Sequence, residues 1–286
     1  MLLVKPTMIG MVSKDTRLCI SLSARPSNNG TRFHNFLYAQ LGLDYVYKAF
    51  APRDIEAAVA GVRGLGIRGA AVSMPYKEAV IPLVDALAPS ASAIHSVNTI
   101  VNDDGVLTAY NTDYSAVAQL IERLGRPTSA PVLVQGAGGM AKAVVAAFAD
   151  AGFEDVTVAA RTESRGRALA EQYGARWVPS PEPGAEIAVN ATPLGMEGGP
   201  EAETLAFPEP VIEAAGAVFD VVALPAETPL VKAARERGKD VVTGAEVAVL
   251  QALEQFVLYT GVRPSPEQVA EAAEYMRTGT APADRA

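Results

Sequence analysis

Short apolar runs and amphipathic stretches alternate along nearly the whole chain. Strand-like runs fall at 17–21, 44–50 and 69–74. Helical spacing follows each of them, at 31–42, 53–65 and 76–87. In the first of these, Phe33, Leu37 and Leu41 share a face, and Thr31 stands where a cap belongs. A further strand at 97–101 turns through Asn102-Asp103-Asp104-Gly105 and returns over 107–110, as a hairpin does. A helix over 114–124 leads into Gly125-Arg126-Pro127-Thr128-Ser129-Ala130-Pro131, a stretch of linker composition.

The alternation then resumes. Val132-Leu133-Val134-Gln135 is strand-like, and 156–160, 186–190, 218–222 and 241–243 repeat the pattern, with a helix over 228–238 and a long apolar one over 245–259. Strands alternating with helices imply mainly parallel sheets covered on both faces, and the hairpin adds at least one antiparallel member. The expected architecture is α/β in two domains. A substrate domain covers 1–113, a Rossmann-type nucleotide domain covers 114–243, and C-terminal helices over 244–286 return to the first.

The first strand of the second series ends in Gly136-Ala137-Gly138-Gly139-Met140-Ala141 and passes directly into a helical pattern closed by Gly152. This is a dinucleotide fingerprint in the context it needs. Gly136 permits the tight turn, Gly138 lets the backbone approach a pyrophosphate, and Ala141 keeps helix and strand close. An acidic residue closing the next strand would bind a ribose 2′-hydroxyl and favour NAD. Arg161 and Arg165 stand there instead and can clamp the extra phosphate of NADP, whereas Glu163 argues the other way. Thr162 doubles as a helix cap. The expected cofactor is therefore NADP, with NAD the alternative. The Pro/Gly-shaped loop Asn190-Ala191-Thr192-Pro193-Leu194-Gly195-Met196 ends another strand, where a nucleotide ribose would lie.

Composition narrows the class. With 49% hydrophobic residues among 286 there is material for two cores. A net charge of −8 argues against a nucleic-acid surface. No apolar run approaches the ~18 residues of a membrane span. A single cysteine, Cys19, excludes an internal disulfide and lies in an apolar run, so it reads as buried and inert. The start, Met1-Leu2-Leu3-Val4-Lys5, lacks the features of a signal peptide. Met8 and Met11 are alternative starts, and the first ten residues need add nothing to the fold. A cytoplasmic protein is expected.

Lys77 follows the strand at 69–74, and ligands of open parallel sheets bind outside the carboxyl ends of strands. A lysine withdrawn from bulk water there is a usable proton acceptor. Asp113 could orient it, or could simply cap the helix that follows. His34 and His95 have no cysteine pattern nearby, so structural roles are expected and no metal site. Trp177 reads as packing. There is no Gly-x-Ser-x-Gly elbow and no Walker lysine.

Taken together, Ser21-Leu22-Ser23 with His34-Asn35, Val72-Ser73-Met74-Pro75-Tyr76-Lys77, Val97-Asn98-Thr99, Asn111-Thr112-Asp113, the Gly136 loop, Arg161-Thr162, Asn190 to Met196, Thr228-Pro229-Leu230 and Gly244 to Gln251 resemble the shikimate dehydrogenase family, and within it the shikimate dehydrogenase-like subgroup. The resemblance implies an NADP-dependent oxidoreductase acting on shikimate or a related hydroxylated ring acid such as quinate, as a monomer or homodimer. It implies Lys77 as acid/base and Asp113 as its partner. It assigns Ser21, Ser23, Ser73, Asn98 and Gln251 to the substrate, and Asn190, Thr192 and Gly244 join the cofactor residues. Four departures touch substrate or nicotinamide contacts. Residues 24–33 lengthen the loop before His34 and carry Arg25; Ala223 stands where the family has tyrosine; Ala71-Val72-Ser73 replaces Asn-Val-Thr; and Val247 replaces a methionine. The Lys77/Asp113 pair is intact. A nucleotide-binding sensor with little turnover is the competing expectation.

Overall fold

The structure, a computed structural model, describes residues 12–280. The N-terminal stretch with Met1, Met8 and Met11 lies outside the described residues. The chain divides into two compact units, Met1–Thr112 with Gln251–Ala286, and Asp113–Leu250.

The first unit contains β1 (Arg17–Leu22), α1 (Asn29–Leu41), β2 (Tyr45–Phe50), α2 (Ile55–Gly64), β3 (Gly69–Val72), β4 (Ala86–Leu87), α3 (Pro89–Ser92), β5 (Thr99–Asp103) and β6 (Val106–Tyr110). Its sheet has the order β2-β1-β3-β5-β6-β4. β1 is parallel to both neighbours, whereas β5 runs antiparallel to β3 and to β6, its partner in the expected hairpin. Period-2 alternation sends Ile20, Leu22, Ala70 and Val72 to one face, where Val59 and Val62 of α2 cover them. The opposite face carries Cys19 and meets the buried side of α1, formed by Phe33, His34, Leu37 and Tyr38. His34 stacks on Tyr47, ring centroids 4.4 Å apart and planes 8° from parallel. Burial pushes the His34 imidazole down to about 3, against an opposing pull from the Gln255 amide, and pushes the Cys19 thiol up to about 12.

Two local expectations are overturned. Residues 76–87 are not a helix; they form turns, a short 3-10 turn at Ile81–Leu83 and β4. Pro82 has no N–H to give a helix, and β6 recruits the segment instead, with Ala86 and Leu87 opposite Thr108 and Ala109. Thr31 does not cap α1, which already begins at Asn29. The stretch 24–33 is therefore loop only as far as Asn28, and most of the remainder lengthens the helix.

The second unit contains α4 (Thr112–Leu124, from Asp113 on), β7 (Val132–Gln135), α5 (Gly139–Asp150), β8 (Val156–Ala159), α6 (Glu163–Gln172), β9 (Arg176–Val178), β10 (Ile187–Asn190), α7 (Glu209–Ala214), β11 (Ala217–Asp220), α8 (Pro229–Glu236), β12 (Asp240–Val242) and the first residues of α9 (Gly244–Thr260). All its strand pairs are parallel, in the order β12-β11-β10-β7-β8-β9. α5 buries Ala141, Ala143, Val144, Val145, Ala147 and Phe148, so small side chains let it lie close on the sheet. Removing the Phe148 ring would cost about 3–5 kcal/mol. α4 begins one residue before Asp113, which therefore lies in its first turn rather than at its cap.

From Gln251 onward α9 belongs to the first unit, as does α10 (Pro266–Thr278). α10 opens on a capping box between Ser265 and Gln268 and lies along α1, where Phe36 meets Tyr275 and Gln40 donates to Glu271 at 2.6 Å.

Candidate active site

In the second unit β7 runs straight into Gly136, whose φ is +123°; a Cβ there would stand 2.9 Å from the Ala191 carbonyl oxygen. Only glycine lets the loops after β7 and β10 come this close. Gly138 precedes α5 and offers no side-chain cap, which leaves the first-turn N–H groups, at the positive end of the helix dipole, to solvent or a ligand. A cavity of about 420 Å³ opens here, bordered by Gly136, Gly138, Arg161, Thr162, Arg165 and Thr192. The strand order reverses between β7 and β10, so the cavity lies at the topological switch point of the sheet. Glu163, which argued for NAD, accepts from Arg167 at 2.7 Å and does not border the cavity. Thr162 occupies the cap position of α6 without making the capping bond expected of it. Trp177 donates to the Ala160 carbonyl at 3.2 Å and packs on Arg167.

Gly139, Met140, Ala141, Asn190 and Gly244 do not border this cavity. Ala141 belongs to the core, and Met140 packs against it. Asn190 is wholly buried; it donates to Asp220 at 3.0 Å and accepts from the Thr192 N–H at 3.1 Å and hydroxyl at 2.6 Å. It shapes the loop that presents Thr192. Burial pushes the Asp220 carboxyl up, and hydrogen bonds from Thr228, the Val222 N–H and Asn190 oppose the rise. Gly244 begins α9 against Val221 and Val222, where any Cβ would lie 2.3 Å from backbone atoms.

In the first unit the strand register gathers the other candidates. Ser21, Ala71, Thr99 and Tyr110 lie in one row across β1, β3, β5 and β6. Because β5 runs the opposite way, Ser23, Ser73, Asn98 and Thr112 all lie just beyond the same edge of that row. Hydrogen bonds close the edge. Val72 N–H donates to the Asn98 carbonyl at 2.7 Å, Ser73 N–H to Leu22 at 2.9 Å, and Asn98 N–H to Tyr110 at 3.0 Å. The Lys77 carbonyl accepts from Val97 N–H at 2.9 Å, which fixes the turn carrying half-buried Lys77 beside Asn98. Asn98 Oδ1 accepts from Thr112 N–H at 2.7 Å, and Asp113 follows immediately. Gln251 on α9 approaches Thr112, Oε1 to Oγ1 3.5 Å.

Ser21 and Ser23 have local employment: Ser21 hydrogen-bonds the Tyr47 phenol, and Ser23 Oγ accepts from Arg25 N–H at 3.2 Å. Gln255 was missed by sequence reading. It is buried one helical turn beyond Gln251 and reaches Asn98 and Thr99. Its signal was available: a second amide at i+4 on a face otherwise made of Ala252, Phe256 and Tyr259.

Known proteins share this fold. Residues 27–100 match the model of the shikimate dehydrogenase substrate binding domain, and residues 118–182 the model described as shikimate / quinate 5-dehydrogenase. A shikimate dehydrogenase-like protein of Haemophilus influenzae is 56% identical over 269 residues, covering 94% of this chain and 99% of its own. The chain belongs to the shikimate dehydrogenase family. A solved structure of a shikimate 5-dehydrogenase-like protein matches with TM-score 0.92 at 56% identity, over 94% of this chain and 100% of the other. The family member from Thermus thermophilus, solved in complex with NADP(H) and shikimate, matches with TM-score 0.79 at 33% identity, over 91% of this chain and 99% of its own. The match to the family's substrate-binding domain begins beyond Ser21 and Ser23 and includes Ser73, Lys77 and Asn98. Among the described residues no group of three or more His, Cys, Asp and Glu could hold a metal ion, and no helix is long and apolar enough to cross a membrane.

Proposed function

We propose that the chain is a cytoplasmic, NADP-dependent oxidoreductase that interconverts shikimate, or a related hydroxylated ring acid such as quinate, with its 3-dehydro ketone. The observation that carries this reading is the shared sheet edge of the first unit, where strand register brings Lys77, Asn98 and the start of α4 together. Such a ring acid needs many hydrogen-bonding groups, and Ser73, Asn98 and Gln251 supply them, with Ser21 and Ser23 behind. Lys77 takes the proton of the reacting hydroxyl, and in the reverse direction returns it to the ketone oxygen. Asp113 accepts from the Lys77 amine and so orients it towards that hydroxyl; once Lys77 is protonated, the carboxylate stabilises the ammonium.

The cavity of the second unit fits the phosphate-bearing end of a dinucleotide. Its wall carries glycine backbone at Gly136 and Gly138, the uncapped start of α5 and two guanidinium groups. Arg161 and Arg165, with Thr162, would hold the 2′-phosphate that distinguishes NADP from NAD, and Thr192 would reach a ribose. When bound, NADP supplies the hydride acceptor. The Thermus relative, solved with NADP(H) and shikimate, supports the pairing of cofactor and substrate.

The test is NADPH formation from shikimate and from quinate, followed at the nicotinamide absorbance. Lys77→Ala is expected to lower kcat by on the order of 10²-fold or more while leaving NADP binding intact. Undiminished turnover in that variant removes the mechanism. Tight NADP binding with no turnover of any ring acid by the unsubstituted protein would favour the sensor reading instead.

A further inference from the structure

α9 brings two amides to the edge of the first unit's sheet, and only Gln251 has a part in the chemistry proposed above. The second, Gln255, places Nε2 3.3 Å from the Asn98 carbonyl oxygen and 3.0 Å from Thr99 Oγ1. A backbone carbonyl can only accept, so the Gln255 atom facing it is the amide nitrogen. Having accepted from Gln255, the Thr99 hydroxyl gives its own hydrogen to Asn98 Oδ1, 2.8 Å away. The Thr112 N–H, 2.7 Å from the same atom, can only donate, so the Asn98 atom there is the oxygen. Two backbone groups thus fix the orientation of both amides. Asn98 Nδ2 donates to Thr112 Oγ1 at 3.0 Å and carries one further N–H.

We infer that Gln255 is a positioning residue: through Thr99 it commits the oxygen of Asn98 to the protein, so that Asn98 meets the substrate only as a hydrogen-bond donor. The inference rests on the dehydrogenase reading and deepens it. The oxygen that Asn98 binds must accept, as a carboxylate or a ketone oxygen does and as a hydroxyl does through its lone pairs. Gln255 touches neither substrate nor cofactor in this scheme. Together with the Thr112 N–H, which calls for the same oxygen, it denies Asn98 the flipped orientation.

Two substitutions in the full chain separate this role from packing. Gln255→Met keeps the volume and removes both donors; kcat/KM for the ring acid is expected to fall about tenfold, chiefly through KM, with KM for NADP unchanged. Gln255→Glu is nearly isosteric and donates only when protonated; the imidazole of His34, which also meets the Gln255 amide, is the titratable group that faces the new carboxyl. Measured against the unsubstituted enzyme at each pH, its kcat/KM should be close to parity near about pH 6 and fall about tenfold by about pH 9. A packing role predicts that kcat and stability to urea fall along with that slope, because an ionised carboxylate is buried; the positioning role confines the loss to KM for the ring acid. Both variants within about twofold of the unsubstituted enzyme at every pH would overturn the inference. If the unsubstituted chain turns over no ring acid, the dehydrogenase reading has failed, and amide exchange decides the network by itself. The Thr112 N–H should then exchange faster in Gln255→Met, and unchanged exchange there sinks the proposal.

Discussion

The two units are both six-stranded sheets, yet they bury different things. The second is wholly parallel, and its largest core is made almost entirely of Ala, Val, Leu, Ile and Phe; the groups proposed to hold the cofactor stand beyond the ends of β7, β8 and β10. The first mixes parallel and antiparallel pairs and buries His34, Asn98, Thr99, Thr112 and Gln255. A fully parallel sheet with helices on both faces is apolar along most of its strands, and the buried polar trio of this one, Asn190, Asp220 and Thr228, stands at strand ends and in the loop beyond them. Where an antiparallel strand enters, its N-terminal end joins the C-terminal ends of its neighbours, and polar side chains from distant parts of the chain can pair. One unit is specified locally and the other by topology.

That contrast can be broken in the second unit most sharply at Gly136. Gly136→Val places a branched side chain at φ +123° against the Ala191 carbonyl. NADP affinity should fall by roughly 100-fold, as expected from about 1–3 kcal/mol of backbone strain and the added clash. Titration with NADPH, followed by the fluorescence of its reduced nicotinamide, reads this, and unaltered affinity would remove the loop from the cofactor site. Arg161→Ala with Arg165→Ala should raise KM for NADP about tenfold or more while leaving KM for NAD within about twofold. Equal losses with both cofactors would mean that the arginines hold the shared pyrophosphate rather than the extra phosphate.

The smallest effect belongs to the first unit and is global rather than local. His34 is neutral in the folded chain, its imidazole held down to about 3, whereas an exposed histidine titrates near 6.5. The unfolded chain therefore binds the extra proton first. Stability is fully present above about pH 6.5 and is lost as pH falls towards 3, by up to about 1.4 kcal/mol per pH unit from this group. Urea unfolding of His34→Gln, compared with the unsubstituted chain between about pH 6.5 and 5, should show that slope reduced. The same slope in both would place the pH sensitivity elsewhere.

Legibility in the sequence follows the same division. Residues 132–141 could be read directly, because strand, turn and helix are contiguous and each glycine has a local reason. Arg161 and Arg165 were readable because they follow the next strand at once. The first unit gave up its motifs but not their wiring. Ser73, Lys77 and Asn98 stand out as polar groups at strand ends, yet the bonds from Val97 to Lys77 and from Asn98 to Thr112 follow only from pairing of β3, β5 and β6. Residues 76–87 misled because Tyr76, Val80 and Leu87 carry helical spacing while the decisive partner, β6, lies some twenty residues on. Pro82 was the overlooked warning. Gln255 was hidden for the opposite reason: a second amide one turn beyond Gln251 has no visible purpose until its partner strand is known.

The first unit is also discontinuous, closed only by residues after Gln251, while the second is a single uninterrupted segment. A ribosome therefore finishes the later unit before the earlier one. Nascent chains must hold β1, β3 and β5 without Gln255 and Tyr259 until the whole second unit has been made. A message truncated near codon 250 would release a complete nucleotide fold beside a half-built neighbour.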